Sequence, residues 1–430
     1  MEGIIKSRLL LMLQRLWITV EFYGKNGLSN HASAGAYGFL LSAAPVLLII
    51  AFMITNFLAS SPELAAGLFE QLDTYLGILG AGDLVSNFLN TANPGLAGIF
   101  SAIPLFWTAR ICALSIQRGL GVIFPAPPRT SPFRNTAVSL GMGFVLIVFI
   151  FIMLLGSSLA LDFYDRIRLP LVRPLLLFLQ FLPRQIFSLF GLTMITLVAY
   201  RIVPAERLKW RYIIPGALAC MIFYHIFFAG FSLIINPDRY NLIYGVLGML
   251  FLFLLSVYFF FIFFLFGAQF IRVLSASDTL LFIRFRQQHS RQFDSGKPGR
   301  AGTLPWEKLF ALPSLPLEKY IRNYEKGELV FAKGSQGLEV YYILRGKAGV
   351  YLDDKCRDQI ALIQEAQFFG ELEVQESEGR SASIKAETEL SVLRLSRKLF
   401  DDILQTDPDT DKNIIQNLSE RLRTSNKRSV

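Results

Sequence analysis

Hydrophobic positions along the chain gather into long unbroken runs, and these runs are apolar on every face. A bilayer core of about 30 Å needs about 20 mostly apolar helical residues to cross it, and six stretches approach that form. No charged residue occurs from Asn26 to Pro62, and Ala36 to Leu58 reads as the first span. The second runs from Gly95 to Gln117 and contains Arg110, and the third runs from Thr136 to Leu161. The fourth, near 184–202, is the shortest, with only Gln185 to Tyr200 free of charge. The fifth and sixth are Tyr212 to Ile235 and the Phe-rich Ile243 to Ile271. Strict alternation, the mark of a membrane barrel strand, is absent, so the pattern predicts spanning helices.

The pattern changes after about Ser275. A polar stretch from Arg286 to Gly302 holds Gly, Pro and Ser with few apolar residues and reads as a linker. Beyond Leu304, short runs such as Glu328–Ala332, Val340–Gly346, Ala348–Asp354 and Ser391–Ser396 are separated by Gly and polar turns. They predict a small antiparallel β-domain. A helical pattern from Lys398 to Ser425, interrupted near Pro408, closes it. The expected organisation is an N-terminal segment over 1–30, a membrane domain over 31–275, a linker over 276–303, a β-domain with flanking helices over 304–425 and a tail over 426–430.

Composition sharpens this picture. Hydrophobic residues make up 53% of the 430 positions and charged residues 17%, against roughly 25% charged in soluble domains. A wholly soluble or disordered chain is excluded. The net charge of +9 is unevenly placed: residues 301–430 hold 19 basic and 21 acidic side chains, and residues 1–300 hold the other 23 and 12. Basic residues cluster in the N-terminal segment (Lys6, Arg8, Arg15, Lys25), the second loop (Arg129, Arg134) and the fourth (Arg201, Arg207, Lys209, Arg211), and again after span six. The first loop is acidic, with Glu63, Glu70, Asp73 and Asp83, and the third is mixed. The positive-inside rule then places both termini in the cytoplasm. Residues 4–22 are too interrupted by charge for a cleavable signal. They read as an amphipathic helix on the cytoplasmic leaflet, with simple packing against the bundle as the alternative. Cys112, Cys220 and Cys356 are too scattered for a disulfide framework or a zinc cage.

Polar residues inside the spans are candidates for chemistry. Arg110 must face the bundle interior or a polar cavity, because a charge at that depth costs at least about 2.5 kcal/mol on insertion scales. Arg118, two turns on, lies near the same helix face. Together they suit an anionic pathway or lipid headgroup, or else a structural hydrogen bond to a helix end or a snorkelling side chain. His225, beside Tyr224, could titrate or be a satisfied buried histidine. Tyr244, with Asn241 and the Gly245/Gly248 pair, opens span six, where close helix packing also accounts for the glycines.

The sharpest motif lies in the β-domain, from Phe368 to Ala386. Gly370 lets backbone approach an anion closely, and Glu371 can accept from a hydroxyl. Arg380 can pair bidentately with a phosphate. Ser381 and Ser383 can donate further, and small Ala382 keeps the pocket open. A ribose-linked cyclic phosphate requires such a set. The segment resembles the phosphate-binding cassette of cyclic-nucleotide-binding domains, with Phe-Gly-Glu followed nine positions later by Arg, a small residue, Ala and Ser. The resemblance covers about 304–425 and implies a β jelly roll. It also implies that Glu371 holds the ribose hydroxyl and Arg380 the phosphate of cAMP or cGMP. Glu373 departs from the small residue usual there, and Glu376 and Glu378 add negative charge near an anion site, so a domain that keeps the fold without binding is the alternative.

Residues 200–270 resemble the YihY/BrkB family. The match is carried by Tyr200, Arg201, Pro204, Trp210, Arg211, Pro215, Gly216, Ala217, Tyr240, Tyr244, Gly245, Gly248, Gly267 and Ala268. Ser33–Val46 is similar to the family's first span. The resemblance implies a six-span bacterial inner-membrane protein, in some members linked to serum resistance. The old ribonuclease label of some members is not supported, since His31, His225 and His289 are scattered and no ligand cluster suits a metal-dependent nuclease. The expected whole is an α-helical polytopic bundle with a cytoplasmic jelly-roll tail, without metal, nucleic acid or catalytic activity. Its partners are the lipid bilayer and a cyclic nucleotide, with a homo-oligomer left open. Its work is transport or lipid handling modulated by the nucleotide; the alternative is a non-transporting scaffold whose tail binds another protein.

Overall fold

The structure is a computed structural model describing residues 2–58, 64–69, 96–125, 132–166, 189–204, 206–234, 237–294, 307–310, 315–352, 359–371 and 379–407, with single positions between them. The chain forms two compact units, one of Thr19–Ser275 and one of Met1–Ile18 with Ala276–Val430.

The first unit is helical. After the end of α1 (Glu2–Lys25) come α2 (Leu28–Phe57), α3 (Leu96–Ile123), α4 (Pro132–Arg166), α5 (Leu189–Ile202), α6 (Trp210–Ile234) and α7 (Pro237–Ser275). Among the described residues, four stretches are long and apolar enough to cross a membrane: Leu28–Asn56, Thr136–Gly156, Trp210–Phe231 and Leu250–Ser275. They coincide with the first, third, fifth and sixth expected spans. The second expected span is the helix α3, and the fourth is the shorter apolar α5. The acidic first loop falls almost wholly outside the described residues, as does most of the third.

Both sides of these helices are apolar, for different reasons. On α6, Ile213, Ala217, Cys220 and Met221 are buried, while Ile214, Leu218, Ile222 and Ile226 form an exposed stripe at four-residue spacing. An exposed apolar stripe of this length suits lipid and not water. The inward side is fixed by close approach of α6 to α7. A Cβ on Gly216 would lie 2.2 Å from Ile271 Cγ1, and one on Gly267 would lie 2.7 Å from the Gly216 carbonyl oxygen. Tyr200 completes the contact by donating its hydroxyl to the Phe264 carbonyl at 2.5 Å. Gly216, Ala217, Gly267 and Ala268 of the family-like motifs are therefore helix-packing residues, while Pro215 is exposed.

In the second unit, the first part of α1 buries Gln14 and Ile18 and leaves Leu9, Leu10, Met12 and Leu13 exposed. Gln14 Nε2 donates to the Leu309 carbonyl at 2.6 Å, and Arg15 Nε to Ser277 Oγ at 3.1 Å. The N-terminal segment expected over 1–30 is thus divided at Ile18, and its polar side packs with the C-terminal region.

The expected linker is corrected over much of its length, because Ser277–Asp294 is a helix, α8. Leu280, Leu281, Phe282, Ile283 and Phe285 are buried along it. The residues that made the stretch look like a tether also have partners. Arg286 Nη2 pairs with Asp407 Oδ2 at 2.9 Å, both buried, and Thr410 Oγ1 donates to the same carboxylate oxygen at 2.7 Å. His289 lies 3.0 Å from the Tyr342 hydroxyl, 3.1 Å from the Leu344 carbonyl and 3.2 Å from Glu365. Burial pushes its pKa below the usual value, against the pull of the Glu365 carboxylate. Residues 295–306, with the Gly-Pro part of the expected linker, lie outside the described residues.

The β-domain has two antiparallel four-stranded sheets. One is ordered β1 (Ile321–Tyr324), β8 (Leu390–Leu395), β3 (Val340–Arg345), β6 (Phe368–Phe369); the other is β2 (Leu329–Phe331), β7 (Ser383–Ala386), β4 (Ala348–Tyr351), β5 (Gln359–Ile363). Alternating side chains of both sheets, among them Ile343, Val392, Ala348 and Ile384, share one core. The last described helix, α9 (Arg397–Thr406), is capped by Ser396, whose side chain accepts from the Leu399 amide, and it buries Leu399, Phe400 and Ile403. The continuation expected to Ser425 lies outside the described residues apart from single positions.

Removing one partner of a buried ion pair strands the other charge. Asp407→Ala should therefore destabilise the fragment 276–430 by about 3–5 kcal/mol in urea unfolding, while the double change Arg286→Met, Asp407→Leu should recover most of the loss. A single-variant loss close to zero would show that the pair does not hold α8 to the domain.

Candidate functional site

The cassette begins on β6, where two adjacent phenylalanines point to opposite faces of the strand. Phe368 packs against Phe282 of α8 at 6.1 Å, Tyr342 at 4.9 Å and Phe400 of α9 at 5.8 Å between ring centroids. Phe369 stacks on Tyr341 at 5.0 Å and approaches Phe331 at 6.0 Å. The chain then turns through Gly370, whose φ of +78° only glycine adopts without strain.

Arg380 returns to the same place. Its guanidinium lies over the Phe331 ring at 4.1 Å and near Tyr341 at 5.9 Å, so the cation rests on aromatic faces. Its Nη1 donates to the Gly370 carbonyl at 3.1 Å and its Nη2 to the Glu339 carbonyl at 2.7 Å. The backbone on either side is pinned: the Arg380 amide donates to the Ser335 carbonyl at 3.0 Å, and the Gly334 amide to the Arg380 carbonyl at 2.7 Å. The Glu339 carboxylate is paired with Arg394, which raises the guanidinium's pKa, and burial raises that of the Tyr341 phenol. Arg380 and Glu371 are both buried, at 3% and 7% exposure, and the Glu371 Oε2 atom is buried without a hydrogen bond.

The structure thus brings together Gly370, Glu371 and Arg380 of the expected set. Ser381 is exposed and Ala382 half-buried just ahead of β7. Ser383 instead ties strands of the fold together, being fully buried with its hydroxyl oxygen accepting the Lys333 amide at 3.0 Å. Glu373, Glu376 and Glu378 lie outside the described residues. Phe331, Glu339 and Tyr341 were not expected at the site. They act through ring faces or a main-chain carbonyl some 40 to 50 positions from Arg380, where no local motif marks them.

The intramembrane candidates separate. Arg110 Nε donates to Ser139 Oγ at 2.8 Å, and its guanidinium lies 4.9 Å from the Trp107 ring. Arg110 and Arg118 line one cavity of about 740 Å³, which they share with Arg201 and Arg207. His225 is not among its lining residues. It sits on an exposed face of α6 and bonds the Met221 carbonyl at 2.8 Å, one turn back in its own helix. It is therefore neither a buried histidine nor a partner of the arginines. The side chains of Tyr244 and Asn241 lie outside the described residues, although their backbone is helical.

Comparison with known proteins agrees with both halves. Residues 19–289 match the family described as Virulence factor BrkB, and residues 321–407 match the cyclic nucleotide-binding domain. The chain belongs to the BrkB (YihY) family and carries a C-terminal cyclic nucleotide-binding domain. It is a bacterial membrane protein. It is 27% identical over 292 residues to the UPF0761 membrane protein MS0032 of Mannheimia succiniciproducens, covering 62% of this chain and 92% of that one. It is 26% identical over 136 residues to the cAMP-activated global transcriptional regulator CRP of Salmonella typhimurium, over 31% of this chain. The chain spans about three fifths (61%) of that regulator's length. Among solved structures, the catabolite activator protein of Thermus thermophilus is 25% identical over 30% of this chain and 59% of that one, with a TM-score of 0.24.

A Cβ at position 370 would lie 2.7 Å from Arg380 Nη1. Gly370→Ala should cost the fragment 276–430 about 1–3 kcal/mol in thermal or urea unfolding, from strained backbone and a displaced guanidinium. Wild-type stability in this variant would show that Arg380 is not held as described.

Proposed function

We propose that this chain is an inner-membrane protein with six spans and both termini in the cytoplasm, whose bundle transports or handles an envelope substrate under the control of a cyclic nucleotide bound by its tail. The observation that carries this reading is the Arg380 guanidinium, buried on Phe331 and bonded to the carbonyl of Gly370, the residue before the buried Glu371. A phosphodiester exchanges its hydration for a fixed cation there, and a ribose hydroxyl meets a carboxylate. The names of the regulator from Salmonella and of a cGMP-dependent protein kinase of Plasmodium berghei, 33% identical over 84 residues, favour cAMP or cGMP as the ligand. Packing of residues 1–18 with the C-terminal unit supports placing both termini on one side, as an even number of spans requires.

Control follows from chain continuity. The helix α7 ends at Ser275 and α8 begins at Ser277, so a single residue separates an apolar helix from one that packs against the cassette through Phe282 and Phe368. A nucleotide that shifts Phe369 and its neighbour Phe368 acts on α8, and it alters the bundle to the extent that it favours one position of that helix. The protein works without catalysis or metal in this reading.

One observation favours a second reading. Two Arg380 nitrogens already serve backbone carbonyls, as in a domain that has exchanged ligand binding for internal stability. The protein is then a non-transporting scaffold whose tail holds a protein partner.

Calorimetric titration of residues 276–430 with cAMP and cGMP separates the two. The first reading expects micromolar binding that falls at least about ten-fold in Arg380→Ala, the loss of a charge-assisted hydrogen bond. No heat at millimolar ligand from a folded fragment would overturn it and leave the scaffold.

A further inference from the structure

We infer that the arginine-lined cavity of the membrane unit is a binding site for a phosphate-bearing organic anion. The inference names a ligand class for the bundle, and it rests on the membrane half of the proposed function while standing apart from nucleotide control.

Four arginines from separate parts of the chain line this cavity. Arg110 and Arg118 lie two turns apart on α3, Arg201 is near the end of α5, and Arg207 is in the loop that follows. Glu206 also lines the space, but its carboxylate is paired with Arg272 at 3.3 Å. Among the described residues, none of the four arginines is paired with a carboxylate. Their uncompensated positive charge favours an anion in the space between them.

Two of the four are held in place. Arg110 has its bond to Ser139 and its contact with Trp107; Arg201 Nη1 donates to the Leu208 carbonyl at 2.7 Å, and its guanidinium lies 5.7 Å from the Trp210 ring. Each leaves further N–H donors of the five that a guanidinium carries. Arg118 and Arg207 are exposed and able to close on a ligand.

Size and lining narrow the ligand. The volume of about 740 Å³ lies within the range of small-molecule sites, roughly 300–1,000 Å³, and exceeds what a bare phosphate fills. Leu114, Ile202 and Phe124 give the cavity an apolar side next to its cations. A phosphoester with an attached organic group matches both. The chemistry is common to an anionic phospholipid headgroup and to a soluble phosphoester. On the positive-inside assignment, the loop bearing Arg207 faces the cytoplasm, within reach of either source.

The test titrates the full-length protein in neutral detergent with phosphatidylglycerol, phosphatidylcholine and glycerol 3-phosphate, reading tryptophan fluorescence. The double variant Arg118→Gln, Arg207→Gln is titrated alongside. At least one anionic probe should bind ten-fold tighter than phosphatidylcholine, and the variant should lose that preference at an unchanged melting temperature. Tight phosphatidylglycerol with weak glycerol 3-phosphate assigns the site to a lipid headgroup; tight glycerol 3-phosphate assigns it to a soluble phosphoester. Equal binding of all three probes, or an undiminished preference in the variant, overturns the inference. Should the double variant fail to fold, the two single variants take its place, each expected to lose about three-fold. Failure here leaves nucleotide binding by the tail untouched, since that is read on a separate fragment.

Discussion

The pleat of a two-residue strand is the constraint on which the C-terminal unit depends. Adjacent side chains of a strand point to opposite faces, so Phe368 and Phe369 cannot serve the same side of β6. One packs on α8 and α9, and the other lies beneath the ring that carries Arg380. In the proposed function, a movement of the cassette backbone at Gly370 reaches α8 through Phe368. The buried Arg286–Asp407 pair, with Thr410 on the same carboxylate, fastens that helix at a second point. The proposed control relies on this fastening, since a slack tether would absorb a displacement.

The membrane unit is organised by a different kind of contact. Lipid offers no hydrophobic incentive for helices to associate, so they are held by close approach and by hydrogen bonds. Gly216 against Gly267 lets α6 and α7 meet at backbone distance, and the Tyr200 hydroxyl closes the same junction. Four arginines gather at one cavity, where aromatic rings and a serine hydroxyl hold two of them. Each unit thus carries positioned arginines, proposed to hold a cyclic phosphate in one and an organic phosphate in the other.

Much of this is legible from the chain, and the remainder is hidden for physical reasons. The spans are visible because uncharged runs of that length have few other uses, and the cassette because Phe-Gly-Glu and Arg380 sit at a fixed spacing. The helix α8 escapes a sequence reading because Arg286, Gln287, Gln288 and His289 look solvated, whereas the partners Asp407, Tyr342 and Glu365 lie far along the chain. Phe331 and Glu339 escape it because a ring face and a main-chain carbonyl leave no motif. Arg201 and Arg207 read only as markers of orientation, since nothing local shows that they share a cavity with Arg110. His225 looks like a buried group because its neighbours are apolar, but those neighbours line an outward face.

In the proposed function, nucleotide occupancy of the cassette reaches α8. Hydrogen exchange of the full-length protein in lipid nanodiscs, with and without cyclic nucleotide, tests this most directly. The ligand should change the exchange of amides 277–294, and Phe368→Ala should abolish the change while nucleotide binding persists. Saturating nucleotide that alters exchange around Arg380 and leaves α8 unmoved would contradict it.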